Sequence, residues 1–289
     1  MGLFAVNAAV AHAEGSARGE RSQLSASGVS LDLFLGTLGQ AIDGLLLGQR
    51  DTVEAAAVSR FEADPSIAVP GLQVTRSADE PKGRWVDGTP EYSLYLPALR
   101  RLFPGARFIH LLRDPREVVR SMLNFHAAFG IDLVPGESEA WDYWLRTVRA
   151  CVAAERAWGS GVVRRVRYRD LVEDSKTAVE GILEFLGEPI VYECLEPLQA
   201  RINSSSNPDR SEPASAGSPS QVGAEAMDLY AELEAAGPVG VAGDPGFVAA
   251  LDEAFFERVA HYRAVDGEYL RLLERVRILE ELSLATPAR

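Results

Sequence analysis

The chain has 289 residues, of which 47% are hydrophobic and 25% charged, and a net charge of −13 at pH 7. This is the balance of a globular protein with a large core, and the acidic excess excludes a general nucleic-acid binder, which needs a basic surface. Cys151 and Cys194 have no metal-ligand spacing and make no disulfide framework, so a reducing, cytoplasmic setting is expected.

No apolar run reaches the length of a membrane span. Residues 3–13, LFAVNAAVAHA, end like a signal sequence but lack its basic start and are interrupted by Asn7. Val6 stands where a myristoylation motif places Ser or Thr. Residues 14–30 are rich in Ser, Gly and charge and are expected as a loop. Leu31, Phe34, Leu35, Leu38, Ile42, Leu45 and Leu46 recur near helical spacing, which predicts a helix over 30–62. Gly36, Gly39, Gly44 and Gly48 oppose it, because each lowers helix propensity. Three prolines make 63–83 a loop around a short strand at 72–75. Residues 84–87 are expected as a further short strand, ended by Gly88-Thr89-Pro90. Residues 91–103 carry Tyr92, Tyr95, Leu96, Leu99 and Leu102 on one helical stripe, which Pro97 must kink or divide.

The next segment, ARFIHLLRDPREVVRSM, spans 106–122. Residues 107–112 have the pattern of a buried strand. Asp114 suits a helix N-cap, Pro115 the first helical position and Glu117 the acid of a capping box. Val118, Val119 and Met122 give the new helix an apolar side. Arg113 thus closes a strand just ahead of a helix N-terminus. Open α/β sheets bind ligands there, and the backbone amides and helix dipole favour an anion. Its planar fork suits phosphate, and the Ser121 hydroxyl lies two turns into the same helix. The plain alternative is an arginine paired with a neighbouring acid.

Residues 137–158 predict a helix with Trp141, Trp144, Leu145, Val148 and Val152 on its core side. A second strand is expected at 162–168, then a turn at Asp170-Leu171, then a helix over 174–186 closed by Gly187. His110 falls mid-strand and reads as a satisfied core residue. Residues 201–223 are polar and breaker-rich, a flexible loop. Two helices follow, at about 224–236 and 246–282. The second has Phe255, Phe256, Val259, Tyr262, Tyr269, Leu270, Leu273, Val276 and Leu279 near helical spacing, a face for the domain or for a second copy of the chain.

The run RWVDGTPEYSLYLPALRRLFPGARFIHLLRDP resembles the corresponding part of bacterial-type sulfotransferases that use PAPS (3′-phosphoadenosine 5′-phosphosulfate). A W-x-x-x-T-P turn, an amphipathic helix, L-F-P, a strand and R-D-P occur in that family's order, and Ser121 follows Arg113 by the family's interval. VRYRDLVEDSKTAVEGILEFLG resembles the family's R-Y-E-D-L segment and following helix. The resemblance implies a single α/β domain over 1–289 with a core at about 84–210. Its P-loop-NTPase-like parallel sheet would be flanked by helices, with extra C-terminal helices. It implies that Arg113 and Ser121 hold the 3′-phosphate, reinforced by Arg116 or Arg120, and that Tyr168 packs by the adenine. Ser204, Ser205, Ser206 and Arg210 would return to the same phosphate from their loop. The implied reaction is sulfuryl transfer from PAPS to a hydroxyl or amine of a small-molecule or glycan acceptor, without a metal. The turn before the amphipathic helix offers Glu91 as the base and Asp87 as second choice. Either acid equally suits a helix cap.

The family's glycine-rich phosphate loop, typically R/K-S-G-T-T, is not found. The nearest string, GSARGERS at 15–22, has the wrong glycine spacing, and Gly88 stands where many relatives have lysine. Three accounts compete. The chain is a fragment or an internally started product, which is the expectation, or a divergent enzyme, or a non-catalytic nucleotide-binding relative that dimerises through its last helix. A nucleotide kinase-like phosphotransferase needs a Walker loop and an acidic magnesium ligand, and neither is evident.

Overall fold

Asp114 and Pro115 set the geometry on which the rest depends. In a computed structural model, which describes residues 1–13, 22–63, 83–126, 130–190, 192–195, 221–237, 240 and 242–285, the Asp114 carboxylate accepts the Arg116 backbone N–H at 2.8 Å. Pro115 opens helix α5, Pro115–Leu123, at the position where its missing N–H has no partner to lose. Before it lies strand β1, Phe108–Leu112. After it come α6, Glu137–Trp158, and strand β2, Val163–Arg167. The strands pair in parallel, from Phe108↔Val163 to Leu112↔Arg167. The other elements are α1 (Gly2–Ala13), α2 (Gln23–Ala26), α3 (Leu31–Ala63), a 3-10 turn (Pro90–Tyr95), α4 (Leu96–Leu102), α7 (Tyr168–Glu173), α8 (Ser175–Leu186), a second 3-10 turn (Tyr192–Leu195), α9 (Gln221–Ala235) and α10 (Pro245–Ala285). The fold is mixed α/β and mostly helical. Its parallel sheet is flanked by helices, and two helices follow at the C-terminal end.

Contacts gather into two units. One comprises Met1–Leu45, Tyr95–Gly105 and Ala249–Arg289. Its core joins Ala5, Val6 and Ala9 of α1 to Leu35, Ala98, Leu102, Phe255 and Val259. Arg101 ties three helices together through Asp32 and Asp252, and its guanidinium lies 5.0 Å from the Phe255 ring centroid. Gly39 of α3 has a packing reason. A Cβ there would stand 1.7 Å from the Leu102 carbonyl oxygen. By length and composition Leu31–Gln49 is apolar enough to cross a membrane, although Asp32, Gln40 and Asp43 break the run and Leu35 packs in the core.

The other unit comprises Leu46–Leu94 and Ala106–Val248. Its core brings Leu112 of β1 and Val119 and Met122 of α5 against Trp141, Trp144, Leu145 and Val148 of α6, with Ala226 and Leu233 of α9. Gly187 closes α8 in the left-handed conformation, φ 71°, a role that glycine fills without a Cβ penalty.

Three local expectations are corrected. Residues 84–87 form no strand. Val86 is 89% exposed and Arg84 pairs with Glu188 at 2.9 Å, so this stretch lacks the apolar face that a strand requires, and among the described residues it has no ladder partner. Asp170-Leu171 is not a turn but lies inside α7. Arg167 occupies the N-cap position without a side-chain capping bond, Asp170 sits in the first turn where the dipole favours an acid, and Asp170 accepts the Arg167 Nε–H at 2.8 Å. The loop expected at 14–30 contains α2, capped by the Ser22 hydroxyl, which accepts the Ser25 N–H at 3.0 Å. Pro97 divides the stripe at 91–103 as expected, a 3-10 turn on one side and α4 on the other. The strand at 72–75 and the segment 196–220 lie outside the described residues.

Candidate functional site

The strand register determines the site. Leu112 and Arg167 are paired, so the residues that follow them, Arg113 and Tyr168, leave the sheet's C-terminal edge at the same level. The Arg113 guanidinium carbon lies 4.4 Å from the Tyr168 ring centroid, within the range of a cation–π contact. Arg113 Nε donates to Glu117 Oε2 at 2.9 Å, one helical turn into α5. Its carbonyl oxygen accepts the Trp144 indole N–H at 3.3 Å. Three elements therefore fix one residue: α6 holds its backbone, and α5 and α7 hold its side chain. That side chain is still 37% exposed, so a ligand can reach the fork. The pair with Glu117 is the plain alternative read from the sequence, and it is of the exposed kind that contributes little, about 0–1 kcal/mol.

Asp114 stands at the same helix start. Burial alone would raise its pKa, but hydrogen bonds from the Arg116 side chain and amide outweigh it and hold the carboxyl below its ordinary value. Arg116 is correspondingly engaged, its Nε donating to Asp114 Oδ1 at 3.0 Å. Ser121 is half-buried on α5 and Arg120 is exposed. The structure thus brings Arg113 and Tyr168 together and places Ser121 on the helix they adjoin. Arg210, Ser204, Ser205 and Ser206 lie outside the described residues.

The two base candidates differ in their engagement. Asp87 Oδ1 accepts the Thr89 backbone N–H at 2.9 Å and the Thr89 hydroxyl at 2.6 Å. The Thr89 hydroxyl is the main reason its pKa falls below the ordinary carboxylate value, against a smaller opposing effect of burial. Asp87 is thus a cap at the entry to the 3-10 turn. Glu91 is exposed in that turn's first residues. Tyr143 has its phenol pKa raised by burial and then by the Glu91 charge, and Tyr143 precedes the Trp144 that braces Arg113. The Glu91 charge is thus felt at Tyr143 of α6.

Two features escaped the sequence reading. Tyr230 of α9 meets Trp144 edge-on, ring centroids 6.5 Å apart. Its phenol pKa is raised by burial, then by the charges of Glu234 and Asp114. Below the site, Glu155 of α6 is fully buried and accepts hydrogen bonds from His110 Nδ1, from Arg165 Nε at 3.2 Å and from Arg165 Nη2. His110 and Arg165 are register partners across the sheet. Burial would raise the Glu155 pKa, but hydrogen bonds from His110 and Arg165 outweigh it and lower it. The expectation of a satisfied His110 holds at one nitrogen. Its Nε2 is buried without a hydrogen-bond partner among the described residues. A polar residue on α6's apolar stripe, three after Val152, was the available sign of Glu155. No group of three His, Cys, Asp or Glu side chains placed to hold a metal ion occurs among the described residues.

This strand–arginine–helix unit falls within a segment that identifies the chain. It belongs to the sulfotransferase family, whose sequence model matches residues 41–192, more than half of its length. A Caenorhabditis elegans protein named "Putative protein-tyrosine sulfotransferase" is 24% identical over 148 residues, 51% of this chain and 56% of the relative. A protein of the same name from Caenorhabditis briggsae is 23% identical over 137 residues, 47% and 48% of the two chains. The chain spans about half the length of these curated relatives. Among solved structures, a sulfotransferase domain from the curacin biosynthetic pathway overlaps 59% of each chain at 16% identity, with a TM-score of 0.32.

Proposed function

We propose that the chain binds PAPS at the C-terminal edge of its parallel strands and transfers the sulfuryl group to a hydroxyl or amine of a small-molecule or glycan acceptor in the cytoplasm. The observation that carries this reading is the Arg113 fork over the Tyr168 ring at a helix N-terminus within the family segment. A 3′-phosphate beside an adenine needs such a set: a planar donor fork, backbone amides, and an aromatic face nearby. Arg113 exchanges Glu117 for the phosphate, Ser121 supplies a hydroxyl, and the Tyr168 ring lies along the base. Arg210 is the loop residue assigned to the same phosphate.

PAPS supplies an activated sulfuryl group. The acceptor oxygen or nitrogen forms a bond to sulfur as the bond from sulfur to the 5′-phosphate oxygen breaks, releasing adenosine 3′,5′-bisphosphate. The acceptor proton passes to a carboxylate, for which we assign Glu91. Asp87 is the weaker base, since its Oδ1 already accepts two hydrogen bonds from Thr89 and its pKa is lowered. The names of the two nematode relatives make a tyrosine phenol the useful comparison acceptor.

A second reading rests on the absence of an R/K-S-G-T-T segment and on Gly88 in place of lysine. It is a family member that retains the nucleotide site without turnover. Calorimetric titration with adenosine 3′,5′-bisphosphate, beside an Arg113→Ala variant, tests the shared part. Binding by the wild type and its loss in the variant establish the 3′-site. Sulfate transfer from PAPS then separates the two readings. No binding by a folded wild type removes both.

A further inference from the structure

Helix α10 runs for 41 residues, and the core uses only part of it. Phe255 and Val259 are buried, whereas Val265, Tyr269, Leu272, Val276 and Leu279 lie between 47% and 63% exposed. Together with Tyr262 these residues recur at 262, 265, 269, 272, 276 and 279, alternating steps of three and four. That is the a and d spacing of a heptad, period 3.5; exposed Leu273 flanks this stripe at an e position, and exposed Leu270 and Ile278 lie off it at b and c. On the opposite face charges stand among the exposed Leu270 and Ile278. Arg277 donates to Glu274 Oε1 at 2.7 Å and to Glu281 Oε1 at 3.0 Å, three positions before it and four after, which are b and f positions in this register.

The charges beside the stripe select the occupant. In a parallel two-stranded coil each g residue meets the e residue of the partner's following heptad. Here g and e are His261 and Asp266, then Glu268 and Leu273, then Arg275 and Glu280. One of the three crossings, Arg275 with Glu280, pairs fixed opposite charges, a second sets His261 beside Asp266, and none pairs like charges. An antiparallel arrangement sets g against g and e against e, and Arg275 then does not meet Glu280. A membrane surface is the poorer occupant, because the flanks are mixed in sign and the chain carries −13, where an interfacial helix needs basic flanks.

We propose that the exposed half of α10, Tyr262 to Leu279, is the seam of a parallel two-stranded coiled coil with a second copy of this chain. The inference is independent of the nucleotide site.

Sedimentation velocity of the full chain tests it. The wild type should run at twice the 31.3 kDa chain mass. Leu272→Asp with Leu279→Asp should run at the chain mass, with unchanged far-ultraviolet circular dichroism, since both side chains face water in one copy. Arg275→Glu should weaken the dimer about tenfold, and adding Glu280→Arg should restore it. In a separate variant, Leu279→Cys should form a disulfide-linked dimer on oxidation beyond any formed by the native cysteines, because a parallel seam sets each d position against itself. A wild type that stays at the chain mass at every concentration overturns the proposal, as does a dimer that survives the double aspartate variant. A charge exchange that fails to restore association overturns the parallel register. A monomer that co-sediments with anionic-lipid vesicles through this face overturns the choice of partner.

Discussion

The guanidinium of Arg113 lies over the ring of Tyr168, 4.4 Å from its centroid, because the Leu112↔Arg167 pairing delivers both residues to one rim of the sheet. Stacking and charge can be separated by substitution. Arg113→Ala should weaken adenosine 3′,5′-bisphosphate by about 100-fold, the loss of one or two charge-assisted hydrogen bonds. Arg113→Lys keeps the charge but loses the fork and should fall about tenfold. Tyr168→Phe should bind like the wild type, and Tyr168→Ala should lose about tenfold. Calorimetry reads all four, and an unaffected Arg113→Ala would remove the residue from the site.

Glu91→Gln should lower kcat by about 100-fold or more while nucleotide binding stays unchanged, the pattern expected of a lost proton acceptor. Asp87→Ala should act differently. Its carboxylate caps a turn through Thr89, so the loss should fall mainly on stability, by about 1 kcal/mol. Because its folded pKa is lowered, that contribution is present above the ordinary carboxylate range and fades as pH falls through the lowered value. Single-turnover sulfate transfer and urea unfolding of the two variants distinguish the roles.

Removing the fully buried Glu155 leaves Arg165 and His110 without their shared acceptor. Glu155→Ala should cost about 3–5 kcal/mol, as expected when one partner of a buried pair is deleted. The folded pKa of Glu155 is lowered. Its stabilising effect is therefore complete at neutral pH and declines as pH falls through that depressed value. Urea unfolding at neutral and acid pH should show the gap between wild type and variant narrowing on the acid side.

Gly39 reverses the usual rule for helix glycines. Replacing an exposed glycine by alanine in a helix normally adds about 0.5–1 kcal/mol, and Gly36→Ala and Gly44→Ala should do so, since nothing lies within 4 Å of either new Cβ. Gly39→Ala drives a methyl group into the Leu102 carbonyl and should destabilise the protein by about 1–3 kcal/mol. Thermal midpoints of the three variants should move in opposite directions.

The sequence made β1, α5 and α8 legible because their signals are local. Asp114-Pro115 marks one helix start and Gly187 one helix end, and a short apolar run between polar neighbours marks the strand. The register that joins Arg113 to Tyr168 is not local, and only the family resemblance pointed to it. Helix α7 was missed because six residues carry too little periodicity, and its Asp170 reads equally as a turn residue. Tyr230 lies in a helix whose pattern shows which side is apolar but not which neighbour it meets. Glu155, by contrast, carried a visible sign, since an acid on an apolar stripe demands buried partners. His110 and Arg165, the polar interruptions of two core strands, were those partners.

A two-stranded sheet has no interior strand. Among the described residues, β1 and β2 each present one rim of backbone amides and carbonyls, the kind of template on which another chain can add a strand. The strands are guarded unequally. Of the three arginines in VRRVR of β2, Arg165 is committed to the buried Glu155, which leaves Arg164 and Arg167 to resist a second molecule. FIHLL of β1 carries no fixed charge, and its Ile109 and Leu111 are 41% and 49% exposed. Solubility at high protein concentration should therefore depend on β1. Ile109→Lys should raise the concentration at which the protein precipitates and leave the folded core intact, because that side chain already faces water.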